Sequence, residues 1–119
     1  MAGDLVADRW YNGDGTENYK CRAWINFNGT GTVVIRASGN VSSITDNGAG
    51  DYTINFTAAM PDADYAVLAT AGRGGGAATG LFTFAPDGLD AAVGSVRVRT
   101  VNNAFGLADA SHVSLTVFR

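Results

Sequence analysis

Three pairs of aspartates lie close together in this sequence, and paired carboxylates can hydrolyse glycosidic bonds. The pairs are Asp46 with Asp51, Asp62 with Asp64, and Asp87 with Asp90. Each pair lies in or beside a turn, where Asp is favoured because its side chain accepts hydrogen bonds from nearby main-chain N–H groups. We therefore interpret all six as turn formers. A small glycan hydrolase is the minor alternative, and we predict a protein that is not an enzyme and has no catalytic residues.

Histidine and cysteine occur once each, at His112 and Cys21. A Ser–His–Asp or Cys–His site would have to use His112, which begins a predicted strand and is expected at the surface or hydrogen-bonded. Cys21 has no partner for an intramolecular disulfide, and its place in the strand pattern predicts a buried, inert thiol. A tetrahedral zinc site needs more Cys and His ligands than the chain contains. We predict no metal and no cofactor.

Four residues in irregular stretches are candidates for ligand binding. Arg73 lies in a Gly-rich loop (GRGGG, residues 72–76) that lacks the following helix and the Lys of a phosphate loop, so we expect a flexible loop whose Arg73 contacts an anion. Phe105 lies in a second loop, and Trp10 and Tyr11 lie near the start of the chain. An aromatic ring stacked on a sugar face is consistent with glycan binding, and loops are where a rigid scaffold varies its specificity.

The elements that position these residues are strands. Along residues 21–28, Cys21, Ala23, Ile25 and Phe27 alternate with polar residues and Trp24. Successive side chains of a strand point to opposite faces, so the apolar set lies on one face. This pattern predicts a strand with one buried face.

A β-hairpin is predicted from residues 41–45 and 51–57, joined by Asp46-Asn47-Gly48-Ala49-Gly50. Asn and Gly adopt the positive φ that a tight reversal needs. Further short strands are expected at 33–38, 65–71, 80–84, 94–101 and 112–119. Seven or eight short strands with frequent turns and no long helical period indicate an all-β fold, an antiparallel β-sandwich that is jelly-roll-like.

Two rows of side chains are expected on the outer faces of strands, Arg22 with Trp24 and Arg97 with Arg99. Trp and Arg are enriched at subunit interfaces, so we predict that these rows cover one. The alternative is that Trp24 lies in the core, which a register slip of one residue would produce.

Length and charge limit the classes of function. A chain of 119 residues forms one domain, here a sandwich of residues 21–119 preceded by an arm or attachment segment at residues 1–20. The net charge of −3 is spread without runs of one sign and Lys20 is the only lysine, which argues against nucleic acid as a partner. With no apolar stretch of membrane-helix length and no leader pattern, we expect no membrane insertion and folding in a reducing cytosol.

Several motifs in the same order resemble the C-terminal domains of bacteriophage tail-fibre and appendage proteins. They are AWINF at 23–27, GTGT at 29–32, VSSITD at 41–46, GDYTINF at 50–56, MPD at 60–62 followed by Tyr65, and VSLTVFR at 113–119. The resemblance covers residues 20–70 most fully. This chain departs from the family pattern because it lacks the long upstream fibre shaft.

The resemblance implies a homotrimeric virion appendage, made in the host cytoplasm, whose knob contacts a glycan or protein of the host surface. It supplies no catalytic residues. We therefore expect a tail-fibre or spike knob that is joined to other virion proteins through the arm. The alternative is a purely architectural capsid decoration or tail assembly protein that does not bind a receptor.

Overall fold

The chain folds into β-strands joined by short turns. The computed structural model describes residues 7, 9–72, 82–84, 91–102, 104 and 106–119. Every regular element in these residues is a strand, which confirms the all-β prediction. The strands are β1 (Cys21–Asn28), β2 (Val34–Gly39), β3 (Val41–Gly48), β4 (Asp51–Phe56), β5 (Ala66–Gly72), β6 (Phe82–Phe84), β7 (Ala91–Ala92), β8 (Ser95–Val101) and β9 (His112–Phe118).

The strands form two antiparallel sheets that pack face to face. Sheet I has the order β2-β1-β9-β5, and sheet II has the order β3-β4-β8-β6 with the two-residue β7 also paired to β8. The first strand pairs with the last, β1 with β9 in sheet I, and β4 pairs with β8 in sheet II. The predicted sandwich is therefore confirmed. Strand β7 was not predicted because two alanines carry no alternating pattern.

The predicted hairpin is formed by β3 and β4, with Ile44 opposite Ile54. Strand β3 continues three residues beyond the predicted end because the reversal needs only Ala49 and Gly50, and Gly48 pairs with Asp51. Gly48 and Gly50 have φ values of 129° and 62°, which lie in the region that favours glycine.

The core lies between the inner faces of the two sheets. Ile25 and Phe27 of β1 are fully buried, as are Tyr52 and Ile54 of β4. The rings of Phe27 and Tyr52 meet across the sheets edge to face, with centroids 5.2 Å apart. Trp24 is 43% exposed on the opposite face of β1, so its predicted outward orientation is confirmed and the alternative that placed it in the core is wrong.

A buried hydroxyl ties the hairpin to the loop before β9. The Tyr52 hydroxyl lies 2.9 Å from the Gly29 carbonyl oxygen and 2.9 Å from Asp109 Oδ1. Asp109 Oδ1 also accepts the N–H of Gly50 at 2.8 Å. Burial, followed by the neighbouring Asp109, raises the pKa of Tyr52 above its usual range. These contacts join three stretches that are distant in the sequence.

We expect Tyr52→Phe to lower the free energy of unfolding by about 1–2 kcal/mol, because it keeps the buried ring and removes the hydroxyl from its acceptors. Urea unfolding followed by circular dichroism measures the change. Tyr11→Phe is the matched control, since Tyr11 is exposed and its substitution should change the stability by less than about 0.5 kcal/mol. Equal stabilities of the two variants would contradict the role given to the Tyr52 hydroxyl.

Candidate functional site

The predicted ligand-binding residues fall into two groups. Arg73 and Phe105 lie outside the described residues. Trp10 and Tyr11 lie in a small hairpin of the N-terminal arm, in which Tyr11 bridges to Glu17 and the Asn18 N–H donates to the Trp10 carbonyl at 2.6 Å. The described part of the arm therefore has a local structure of its own.

The arm is tied to the start of β1 through Lys20. The Lys20 ammonium donates to the Ala7 carbonyl at 2.6 Å and lies 5.7 Å from the centre of the Trp10 ring. A cation over a Trp face is attracted by the electron density of the ring. Because Lys20 directly precedes β1, these contacts place Trp10 beside the end of the sandwich.

Two cavities open where the arm meets the sandwich, and Arg22 lines both. We name the first, of about 300 Å³, the tryptophan cavity. It is lined by Trp10, Lys20, Cys21, Arg22, Asn40 and residues 58–60. We name the second, of about 240 Å³, the arginine cavity. It is lined by Arg9, Glu17, Tyr19, Arg22, Pro61, Asp62 and Arg119.

The arginine cavity has a hydrogen-bonded wall. Arg119 binds Asp62 with two parallel bonds, Nε to Oδ1 at 2.9 Å and Nη2 to Oδ2 at 2.8 Å. The Arg22 Nε donates to the main-chain oxygen of Arg119 at 2.6 Å. The Arg119 guanidinium and the N–H of Asp64 hold the pKa of Asp62 at about 2, so the carboxyl is ionised near neutral pH.

Only some of the residues that line these cavities were predicted from the sequence. Trp10 was predicted as a ligand contact and Arg22 as an interface residue. Tyr19, Asp62 and Arg119 carry no local signal of a site, because they come together from three stretches that are distant in the sequence. The double hydrogen bond between Asp62 and Arg119 exists only after β9 has paired.

Cys21 is exposed, so the predicted buried thiol is wrong. The pairing of β1 with β9 shifts register between Cys21 and Ala23, which breaks the alternation at the first residue of the strand. The Cys21 thiol donates to the Ala23 carbonyl at 3.1 Å and faces the tryptophan cavity. The alternation of inward and outward side chains fails at Cys21 because the bulge adds one residue to the strand, and the sequence pattern does not show a bulge.

The two predicted interface rows lie on opposite sides of the sandwich. Arg22 and Trp24 belong to β1 in sheet I, and Arg97 and Arg99 belong to β8 in sheet II. Arg97 binds Asp51 with two bonds of 2.8 and 2.7 Å, and Arg99 Nε lies 3.4 Å from Asp51 Oδ2. The arginines of sheet II are thus engaged with a buried carboxylate of their own chain. Asp51 was predicted only as a turn former, and its ion pair with Arg97 is seen only in the structure.

The outer face of sheet I carries an apolar row that the sequence did not reveal. The strand register places Trp24, Thr116 and Leu68 side by side on β1, β9 and β5, and Leu68 is 59% exposed. A groove of about 480 Å³ follows β5 and β9 and is lined by Leu68 and Thr116 of this row but not by Trp24. The indole of Trp24 covers Gly39 of β2, where an added methyl group would lie 2.8 Å from Trp24 Cδ1. We name Trp24 and Leu68, which flank Thr116, the outer apolar row.

Acid–base and metal-binding groups are sparse in the described part of the chain. His112 is exposed and its Nδ1 lies 3.1 Å from the Ser111 hydroxyl, as predicted for a surface histidine. In residues 9–72, 91–102 and 106–119, His, Cys, Asp and Glu side chains form no group of three that would hold a metal ion. The described residues also include no helix long and apolar enough to cross a bilayer.

Comparison with known proteins finds no family model, no curated protein and no solved structure that matches this chain.

Proposed function

We propose that this chain is a structural protein of a bacteriophage virion, the knob of a tail fibre or spike that assembles as a homotrimer and binds a host surface glycan. Two observations support the proposal. The first is the ordered series of motifs that resembles phage appendage domains. The second is the outer apolar row, which carries the argument for assembly.

Exposed, contiguous apolar side chains on a sheet face indicate a surface that another protein covers. Leu68 and Trp24 are both exposed on the outer face of sheet I, on either side of Thr116, and partly buried Phe118 is the next outward residue along β9. A three-fold ring is built from heterologous contacts, in which one patch meets a different patch of the next copy, and Arg97 and Arg99 of sheet II are already engaged with Asp51 of their own chain. The proposal therefore assigns the interface to sheet I, next to a second copy of the chain, and leaves Arg97 and Arg99 outside it.

The expected solution mass is that of three chains, measured by light scattering after size exclusion at two concentrations. Leu68→Asp should reduce the mass to that of one chain, because a carboxylate buried in an apolar interface has no partner. Val34→Asp is the control, since Val34 is 52% exposed on β2, at the opposite edge of the same sheet. A monomeric wild type, or equal loss of assembly in both variants, would contradict the proposed interface.

Receptor binding is tested separately with the fluorescently labelled protein on intact Gram-negative cells. The proposal expects binding that is lost after periodate oxidation of the surface glycans. Binding that survives oxidation would indicate a protein receptor. A protein that assembles yet binds no cells would favour the architectural alternative, a decoration or tail assembly protein whose arm docks on a larger shell.

A further inference from the structure

We propose that the arginine cavity binds the carboxylate of a sugar acid, such as a hexuronic acid residue of a surface polysaccharide. The inference rests on the proposed glycan-binding function and names the class of ligand. It places that ligand between the arm and the end of the sandwich, at residues other than the predicted contacts Arg73 and Phe105.

Three guanidinium groups line this cavity, from Arg9 in the arm, Arg22 in β1 and Arg119 after β9. Arg119 is held by Asp62, and Arg22 is held by its Nε bond to the Arg119 main-chain oxygen. Among the described residues, Nη1 and Nη2 of Arg22 have no hydrogen-bond acceptor, so its outer edge is free for a ligand. A guanidinium matches a carboxylate with two parallel hydrogen bonds.

The carboxylates of the cavity supply acceptors for the hydroxyl groups of a sugar. Glu17 and Asp62 both line it, and an ionised carboxylate has about four lone-pair sites. On Asp62, Arg119 occupies two of these sites and the Asp64 N–H a third. The remaining site on Asp62 and those of Glu17 suit sugar hydroxyl groups.

The size and the apolar wall also fit a sugar ring. Tyr19 is 58% exposed at the cavity and offers an aromatic face to the C–H groups of a ring. The cavity volume of about 240 Å³ is below the range of about 300–1,000 Å³ that holds a drug-sized ligand, which suits one ring. Arg22 also lines the tryptophan cavity, where Trp10 and Asn40 can contact the next residue of a polysaccharide.

The proposal is tested by titrating the ¹⁵N-labelled full chain with sodium glucuronate, glucose and sodium sulfate, following the amide signals of Tyr19, Arg22 and Asp62. We expect glucuronate to bind at least about tenfold more tightly than glucose or sulfate. Arg22→Gln should weaken glucuronate binding by about tenfold, the cost of one strong charged contact. Glucose binding as tightly as glucuronate would overturn the proposal, and so would sulfate binding as tightly, because the cavity would then be an unspecific anion site.

Arg36→Gln is the matched control. Arg36 also donates a 2.6 Å bond to a main-chain oxygen, that of Ser111, and it lies on β2 outside both cavities. It should leave glucuronate binding unchanged, and equal losses in Arg22→Gln and Arg36→Gln would overturn the proposal. If Arg22→Gln does not fold, Arg9→Gln and Tyr19→Leu take its place, since both side chains are exposed, and each should weaken binding several-fold.

Failure of this inference is distinguishable from failure of the proposed function. A trimer that binds cells through glycans but shows no amide shifts with glucuronate would refute only the sugar-acid site. Glucuronate binding by a monomer that attaches to no cells would refute the receptor-binding knob and leave the site in place.

Discussion

Gly50→Ala is expected to lower the free energy of unfolding by about 3 kcal/mol or more. Gly50 is buried at the end of the β3–β4 turn with φ of 62°. An added Cβ would overlap the Thr100 carbonyl oxygen and lie 2.6 Å from the Ala108 nitrogen. Both contacts are with main chain, which cannot rotate away, so β8 or the loop before β9 would have to move.

Gly31→Ala is the matched control for this substitution. Gly31 has φ of 61°, almost the same value, but an added Cβ there has no atom within 4 Å. Its expected cost is therefore only the left-handed backbone strain of about 1–2 kcal/mol. Urea unfolding of both variants separates the cost of the backbone strain from the cost of the close main-chain contacts. Similar losses in both would show that the backbone around Gly50 adapts, and that the packing argument is wrong.

Asp51→Asn is expected to lower the free energy of unfolding by about 2 kcal/mol near neutral pH, since hydrogen bonds to charged groups contribute about 1.5–3 kcal/mol. Asp51 is buried and binds Arg97 with two bonds, while Arg99 Nε is 3.4 Å away. The amide keeps the shape of the carboxylate but not its charge, which leaves two arginines beside a neutral group.

The pH dependence of this effect has a defined sign. The hydrogen bond from Arg97, with the charges of Arg97 and Arg99, holds the pKa of Asp51 below its usual value in the folded protein. The unfolded chain then binds a proton more readily than the folded one, so the stabilisation is fully present above about pH 4 and is lost as the pH falls through the folded pKa. The stability difference between wild type and Asp51→Asn should shrink accordingly in acid.

Unfolding curves of the wild type and Asp51→Asn between about pH 2 and 7 measure this difference. Asp62 is present in both proteins, so its contribution to the pH dependence cancels in the difference. Asp64→Asn is the control, because Asp64 is exposed and its substitution should change the stability by less than about 0.5 kcal/mol at any of these values. A difference between wild type and Asp51→Asn that is constant over the range would contradict an ion-pair role for Asp51.

Local patterns in the sequence were sufficient to predict every described strand except β7. Period-two alternation identified the buried faces of β1, β4, β8 and β9, since only one face of each is packed on the core. The Asn-Gly-Ala-Gly segment located the hairpin because glycine alone adopts its backbone angles at low cost. Predictions of this kind depend on neighbours within a few residues, which the sequence displays directly.

The candidate site was only partly predictable. Trp10 was identified as a ligand contact because an aromatic ring can stack on a sugar face. Arg22 was identified as an interface residue because Trp and Arg are enriched at subunit interfaces. Asp62 was interpreted only as a turn former, a role it has, since its carboxylate accepts the Asp64 N–H at 2.9 Å. Its second role as the partner of Arg119 depends on a residue 57 positions away.

The sequence by itself determined the all-β class and the β3–β4 hairpin, because alternation and turn chemistry are local. It favoured an outward Trp24 but left a core position open. Only the tertiary structure decided which strands are neighbours, and with that the Asp51–Arg97 pair, the outer apolar row and the arginine cavity. Only the structure shows that Cys21 is exposed beside a bulge. It also shows that the two predicted interface rows lie on different sheets. The physical reason is that strand order and register are set by pairing between distant segments, which leaves no periodic trace in either strand alone.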